Sequence, residues 1–220
     1  MSYTSNFKPF NSKVISIEPS ATLKVNAKTK ELKSKGLDVI NMTAGESDLP
    51  PPQWLVENLK LYSSKPGVNL YKPTAGIPEL REEIAKKYQK YNGVNYSKDE
   101  VIITIGGKHA IYLALASLCN DGDEVIIISP YWVSYLEQVK IVGAKPVVLE
   151  TDSRDGFIPD ISKLKELVSA RTKAIIVNSP NNPTGAVYPV EVLKAIFEIA
   201  YTNGVYVISD EIYESFVYEG

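Results

Sequence analysis

The sequence is poor in the residues from which metal centres and disulfides are made, with one cysteine, Cys119, and one histidine, His109. A single cysteine excludes an internal disulfide and fits a reducing cytoplasm, and with one histidine beside it a structural zinc site is untenable. No apolar run approaches the roughly 18 residues that a bilayer span needs. The opening MSYTSNFKPFNSK lacks the apolar core of a secretory leader. Charge is also balanced: 24 Lys+Arg against 26 Asp+Glu leave a net charge of -2. Nothing in that balance attracts nucleic acid or an anionic membrane. Internal repeats and low-complexity tracts are missing too. What is left is an ordinary globular composition, 44% hydrophobic and 23% charged, over 220 residues. That length suits one large domain, or one domain with a small appendage.

The front of the chain reads as helices separated by breakers. Residues 23–35 are rich in straight-chain helix formers and stop near Gly36. Pro50, Pro51 and Pro52 interrupt the chain, and a short helix through Trp54, Leu55, Leu59 and Tyr62 follows. Gly67 to Gly76 is a loop. Pro78 then opens a helix whose apolar side is Leu80, Ile84, Ala85, Tyr88 and Tyr91.

From Val101 the rhythm changes. Five short β-branched runs, 101–105, 124–129, 145–150, 173–179 and 205–209, alternate with helical stretches near 108–119, 131–142, 160–169 and 189–202. The runs are apolar on both faces, as strands covered by helices on each side must be. Such alternation predicts a three-layer α/β/α arrangement around a mostly parallel sheet with right-handed crossovers.

Ligands of open α/β sheets bind beyond the carboxyl ends of the strands. Here those ends read Gly106-Gly107-Lys108, Ser129-Pro130-Tyr131-Trp132, Asn178 through Gly185, and Ser209-Asp210-Glu211. The double glycine before a helix is either a phosphate cup, offering free N–H groups and a positive helix end, or a tight strand-to-helix turn. It fits neither the Walker A pattern nor GxGxxG, which disfavours nucleotide. The Asn178–Gly185 stretch is either a loop of turn formers or a rigid mount aiming an asparagine amide at a ligand. Asp210 is either an N-cap or the partner of a buried cation. Tyr213 faces the same side as Asp210 if the turn between them is helical.

Six motifs in order, TAGE (43–46), YKPTAGIPELRE (71–82), GGKHA (106–110), SPYWVSY (129–135), SPNNPTG (179–185) and SDEIY (209–213), resemble the class I aminotransferases, in particular the bacterial-type aspartate aminotransferase subgroup. The likeness runs from about Pro19 to Gly220. It implies the fold type I of pyridoxal-phosphate enzymes, with residues 1–45 in a small domain and 46–220 forming the first part of the large cofactor-binding domain. It implies pyridoxal 5'-phosphate as cofactor, amino-acid and 2-oxo-acid substrates, a cytoplasmic homodimer, and ping-pong transamination of L-aspartate or glutamate in the complete protein. A pyridoxal-phosphate lyase on the same fold, or a non-catalytic cofactor- or partner-binding module, are the alternatives.

The resemblance also assigns roles. Asp210 matches the carboxylate paired with the protonated pyridine nitrogen, which keeps the ring an effective electron sink. Asn182 and Tyr213 match the groups that hydrogen-bond the ring oxygen, Trp132 the aromatic stacked on the ring, and Gly106, Gly107 and Lys108 the phosphate cup. Tyr71 matches a tyrosine reaching the neighbouring subunit's cofactor phosphate. Gly45, Lys108, Trp132 and Asn182 match groups at the substrate, Lys108 at its distal carboxylate. Two departures stand out: Glu18 replaces a lysine that accompanies prephenate activity, and Ser47 replaces a proline. Cys119 is read as a small buried hydrophobe, His109 as a helix-start residue near the cofactor edge and not a general base, and Arg81, Arg154 and Arg171 as solvated or ion-paired.

The same resemblance implies what is missing. The lysine that anchors the cofactor and two arginines follow Asp210 in the family, beyond Gly220. No catalytic residue is therefore assigned, and the chain alone is expected to be inactive. In the family's sheet the sixth and seventh strands lie between the fifth and the first. With five strands present, two open edges are expected.

Overall fold

The computed structural model describes residues 11–18, 21–42, 45, 47 and 49–218, without the side chains of residues 21–23. Its helices are α1 (Ser12–Ile15), α2 (Ala21–Ser34), α3 (Gln53–Ser63), α4 (Pro78–Lys87), α5 (Gly106–Leu118), α6 (Ser134–Ile141), α7 (Ile161–Leu167) and α8 (Val190–Thr202). Its strands are β1 (Glu124–Ser129), β2 (Lys145–Glu150), β3 (Thr172–Asn178) and β4 (Tyr206–Asp210). Two compact units form: residues 25–105, and residues 1–24 together with 106–220.

The second unit holds a four-stranded parallel sheet in the order β2-β1-β3-β4. Strand alternation divides its core cleanly, because successive side chains leave a strand on opposite faces. On one face Ile126, Ile128, Ile175 and Val177 pack with Leu164 of α7 and Ile196 and Ile199 of α8. On the other, Val125, Ile127, Ala174 and Ile176 pack with Ile111 and Leu115 of α5 and Tyr135 and Val139 of α6. Each fully buried aliphatic side chain contributes about 1.5–3 kcal/mol. The three-layer α/β/α reading holds.

The first run is a correction. Residues 101–105 form no strand; Ile102 and Ile105 are exposed, and the Ile103 N–H donates to the Ala75 carbonyl at 2.9 Å. An extended β-branched run becomes a strand only by joining a ladder, and the ladders among the described residues join strands β1 to β4 alone.

In the unit of residues 25–105, α4 begins at Pro78 as predicted and runs into a π-helical turn, Tyr88–Asn92, closed by Gly93 at φ 69°. Arg81 anchors α4 to the following segment: its Nε donates to the Val101 carbonyl at 2.8 Å and it pairs with Asp99. Gly76, at φ 105°, sits so close to Ile103 that a Cβ there would overlap its side chain.

Candidate functional site

Asp210 ends β4, directly opposite Asn178 at the end of β3. Each of its carboxylate oxygens has a donor: the Tyr135 hydroxyl reaches Oδ2 at 2.6 Å, and the Ile212 N–H reaches Oδ1 at 3.2 Å. The second bond caps the turn that carries Tyr213, so the capping reading of Asp210 accounts for one oxygen only. Tyr135 is 2% exposed. Burial first, then the carboxylate it donates to, push its phenol well above the ordinary range, so it stands as a neutral donor.

Asn178, 4% exposed, ties the loop after β3 to Asp210. Its Nδ2 donates to the Asp210 carbonyl at 3.0 Å, and its Oδ1 accepts the Asn182 N–H at 2.8 Å. Asn182 in turn offers its amide to the Tyr213 hydroxyl at 3.4 Å. Asn181 braces the loop from within: its Oδ1 accepts from the Thr184 hydroxyl at 2.8 Å and its Nδ2 donates to the Pro130 carbonyl at 3.3 Å. The 129–130, 179–180 and 182–183 peptide bonds, each preceding a proline, are cis. The stretch is a mount held by its own side chains, and it presents the Asn182 amide beside Tyr213.

The third component is the start of α5. Gly106 has φ 76°, and an added Cβ at Gly106 or Gly107 would meet nothing within 4 Å. There is thus room beside the backbone where α5 begins, at the positive end of its dipole. The Lys108 carbonyl accepts from Gln138 Nε2 at 2.6 Å, and the Lys108 ammonium lies 4.9 Å from the Trp132 ring centre. Trp132 meets Tyr135 edge to face, with ring centres 5.5 Å apart. These contacts run unbroken from Lys108 through Trp132 and Tyr135 to Asp210, and on through Asn178 to Asn182 and Tyr213.

Seven of the predicted site residues thus come together: Gly106, Gly107, Lys108, Trp132, Asn182, Asp210 and Tyr213. Gly45 and Tyr71 belong to the unit of residues 25–105, where both are exposed. Thr43, Ala44 and Glu46 of the TAGE motif, together with Pro19 and Ser20, lie outside the described residues. The Glu18 N–H donates to the Glu137 carboxylate at 3.3 Å. Arg81, Arg154 and Arg171 are ion-paired, with Asp99, Asp152 and Glu124. Among the described residues no group of His, Cys, Asp or Glu is placed to hold a metal, and no helix is long and apolar enough to cross a membrane.

Sequence reasoning gave no role to Tyr135, Asn178 or Gln138. Tyr135 follows Trp132 by three residues, the spacing that puts two side chains on one helical side, and that signal was available. Asn178 ends its strand level with Asp210, which shows only once the register is known. Gln138 is buried, and its Oε1 has no partner among the described residues.

Known proteins bear on this arrangement. The probable aspartate/prephenate aminotransferase of Thermus aquaticus is 46% identical over 208 residues, covering 94% of this chain and 54% of that protein. The aspartate aminotransferase of Geobacillus stearothermophilus is 46% identical over 208 residues, covering 94% of this chain and 53% of that protein. Among solved structures, the aspartate aminotransferase of Thermus thermophilus with maleate superposes at a TM-score of 0.93, with 45% identity over 97% of this chain and 56% of that one. The chain spans about half the length of the curated relatives it matches. Its fold is that of the fold type I aminotransferases, whose cofactor is pyridoxal 5'-phosphate. The family model for aminotransferases of class I and II matches residues 37–220, most of the chain and all of the assembled site, and to that family this protein belongs.

Proposed function

We propose that these residues form the cofactor bed of an aspartate-type aminotransferase, which in the complete protein exchanges the amino group of L-aspartate or glutamate with a 2-oxo acid. The observation that carries the reading is Asp210, a half-buried carboxylate fixed by two donors beside the Asn182–Tyr213 pair. The donor set fits pyridoxal phosphate chemically. The positive end of α5 suits a phosphate, Asp210 suits a protonated ring nitrogen, and Asn182 with Tyr213 suits the ring oxygen. Trp132 offers an aromatic face to the ring. Bound there, the cofactor supplies an electron sink for negative charge developed at the substrate α-carbon.

The chain's own residues bind and orient. Lys108, held over the Trp132 ring, offers its ammonium to the distal carboxylate of an acidic substrate, while Asn182 serves the end nearer the reacting carbon. Tyr71 serves the cofactor phosphate of a second subunit, which makes the complete protein a homodimer. The division into residues 1–45 and 46–220 is retained as part of this reading, as is a cytoplasmic setting. Lys108 stands at the cup and cannot act as a covalent anchor there, so the 220 residues by themselves hold cofactor reversibly and do not turn over.

The test uses the full-length protein with aspartate and 2-oxoglutarate. Formation of oxaloacetate and glutamate supports the reading; cofactor binding without amino transfer to any 2-oxo acid overturns it. On the 220-residue chain, borohydride reduction with added cofactor should leave the intact mass unchanged. A stable pyridoxyl-lysine adduct would refute the reversible-binding part.

A further inference from the structure

Among the described residues Tyr135 is the one buried hydroxyl that donates to Asp210, and nothing in the reading above uses it. It projects from α6, is 2% exposed, and donates to Oδ2 at 2.6 Å. The other carboxylate oxygen is occupied by the Ile212 N–H. Tyr188 and Tyr213 are the other titratable groups close enough to act on Tyr135 electrostatically, and neither is cationic. No ammonium or guanidinium among the described residues pairs with Asp210, so its charge is supported by hydrogen bonds alone.

A carboxylate facing a protonated heterocyclic nitrogen shares one proton with it, and the proton rests on the more basic atom. A hydrogen bond donated to the carboxylate lowers its basicity. Charge-assisted bonds of this kind are the strong ones, and burial strengthens them further.

Resting on the cofactor reading above, we propose that Tyr135 is a positioning residue whose hydroxyl keeps Asp210 the weaker base of that pair, so that the shared proton stays on the ring nitrogen. Removing the hydroxyl makes Oδ2 more basic. The proton then moves along the hydrogen bond from the nitrogen to the carboxylate, leaving a neutral ring and a neutral acid; no atom is lost and no other reagent is needed. A neutral ring draws electrons less well, so turnover falls while substrate affinity is kept.

The test loads the full-length protein with pyridoxal phosphate carrying 15N in the ring and reads the nitrogen resonance. In Tyr135→Phe the resonance should move toward the unprotonated position, with kcat down about tenfold and KM nearly unchanged. Site-specific 3-fluorotyrosine at position 135, a stronger donor of nearly the same shape, should move it the opposite way and keeps the test decisive if the Phe variant fails to fold. Val139→Ala removes a fully buried neighbour on the same helix and should lower the melting temperature without moving the resonance. An unchanged resonance in both Tyr135 variants overturns the proposal, as does an equal shift in Val139→Ala. Failure of the unsubstituted protein to bind the cofactor would instead overturn the cofactor reading, and this proposal with it.

Discussion

Asn178 and Asp210 end neighbouring strands side by side, and the Asn178 amide donates to the Asp210 carbonyl at 3.0 Å. The same side chain accepts the Asn182 N–H at 2.8 Å, so one residue sets the distance between the loop and the carboxylate. Asn178→Ala strands a carbonyl and an N–H in a buried place. At about 1–3 kcal/mol for each such group, urea unfolding should show a loss of about 2–6 kcal/mol. Asn178→Asp keeps the acceptor but not the donor, and should lose less.

Asp210→Ala should cost both stability and binding. It leaves the buried Tyr135 hydroxyl without its acceptor, a loss of about 1–3 kcal/mol. Fluorescence titration with pyridoxal phosphate should show affinity weakened about tenfold to a hundredfold, since a charge-assisted contact is removed. Equal affinity in the variant would exclude Asp210 from the cofactor contact.

Acid sensitivity should trace in part to Glu124, a buried carboxylate at the opposite end of β1. The Ser169 hydroxyl above all, then Arg171 and Lys145, hold its carboxyl below the ordinary glutamate value of 4.5, against the opposing pull of burial. A lowered folded-state value favours the folded protein above the unfolded-state value, and the benefit is lost as pH falls through the lowered one. Glu124→Gln should therefore be less stable than the unsubstituted chain at pH 7, with the gap narrowing below pH 4.5. Denaturant midpoints at the two pH values provide the comparison.

At the alkaline end, burial raises the Tyr188 phenol to about 12 and Tyr135 further still. Raised values protect the neutral form, so stability is full below the ordinary tyrosine value of 10.0 and declines as pH rises beyond it. In an ultraviolet titration of the 14 tyrosines, these two should ionise last, and Tyr135→Phe with Tyr188→Phe should remove the late phase.

Gly143 has φ 89°, and a Cβ there would run into the Asp121 carboxylate and the Lys13 ammonium, which pair with each other. Gly143→Ala should cost about 1–3 kcal/mol through backbone strain and the broken pair. Proteolysis near α1 should accelerate, because Lys13 ties that helix to the turn.

Much of the architecture was legible because it is local. Val125 to Ile128 and Ala174 to Val177 are apolar in unbroken runs, and only a sheet covered on both sides buries such runs. Residues 101–105 carry the same pattern and misled, because composition expresses willingness to pair and says nothing of a partner. The site divides in the same way. Asp210, Asn182 and Trp132 stand at strand ends, where chemistry was expected. Tyr135 donates across 75 positions of chain, and such a contact exists only after the helix has packed.

Helix α6 and the residues leading into it reach three places at once: Trp132 the Lys108 ammonium, Tyr135 the Asp210 carboxylate, and Gln138 the Lys108 carbonyl. A rigid rod gripping three objects cannot adjust one without disturbing the others. Substitutions at these positions should therefore interact, their combined effects departing from the sum by about 0.5–3 kcal/mol. Anyone retuning this pocket one residue at a time will find the steps refusing to add, and α6 is better redesigned as a single part.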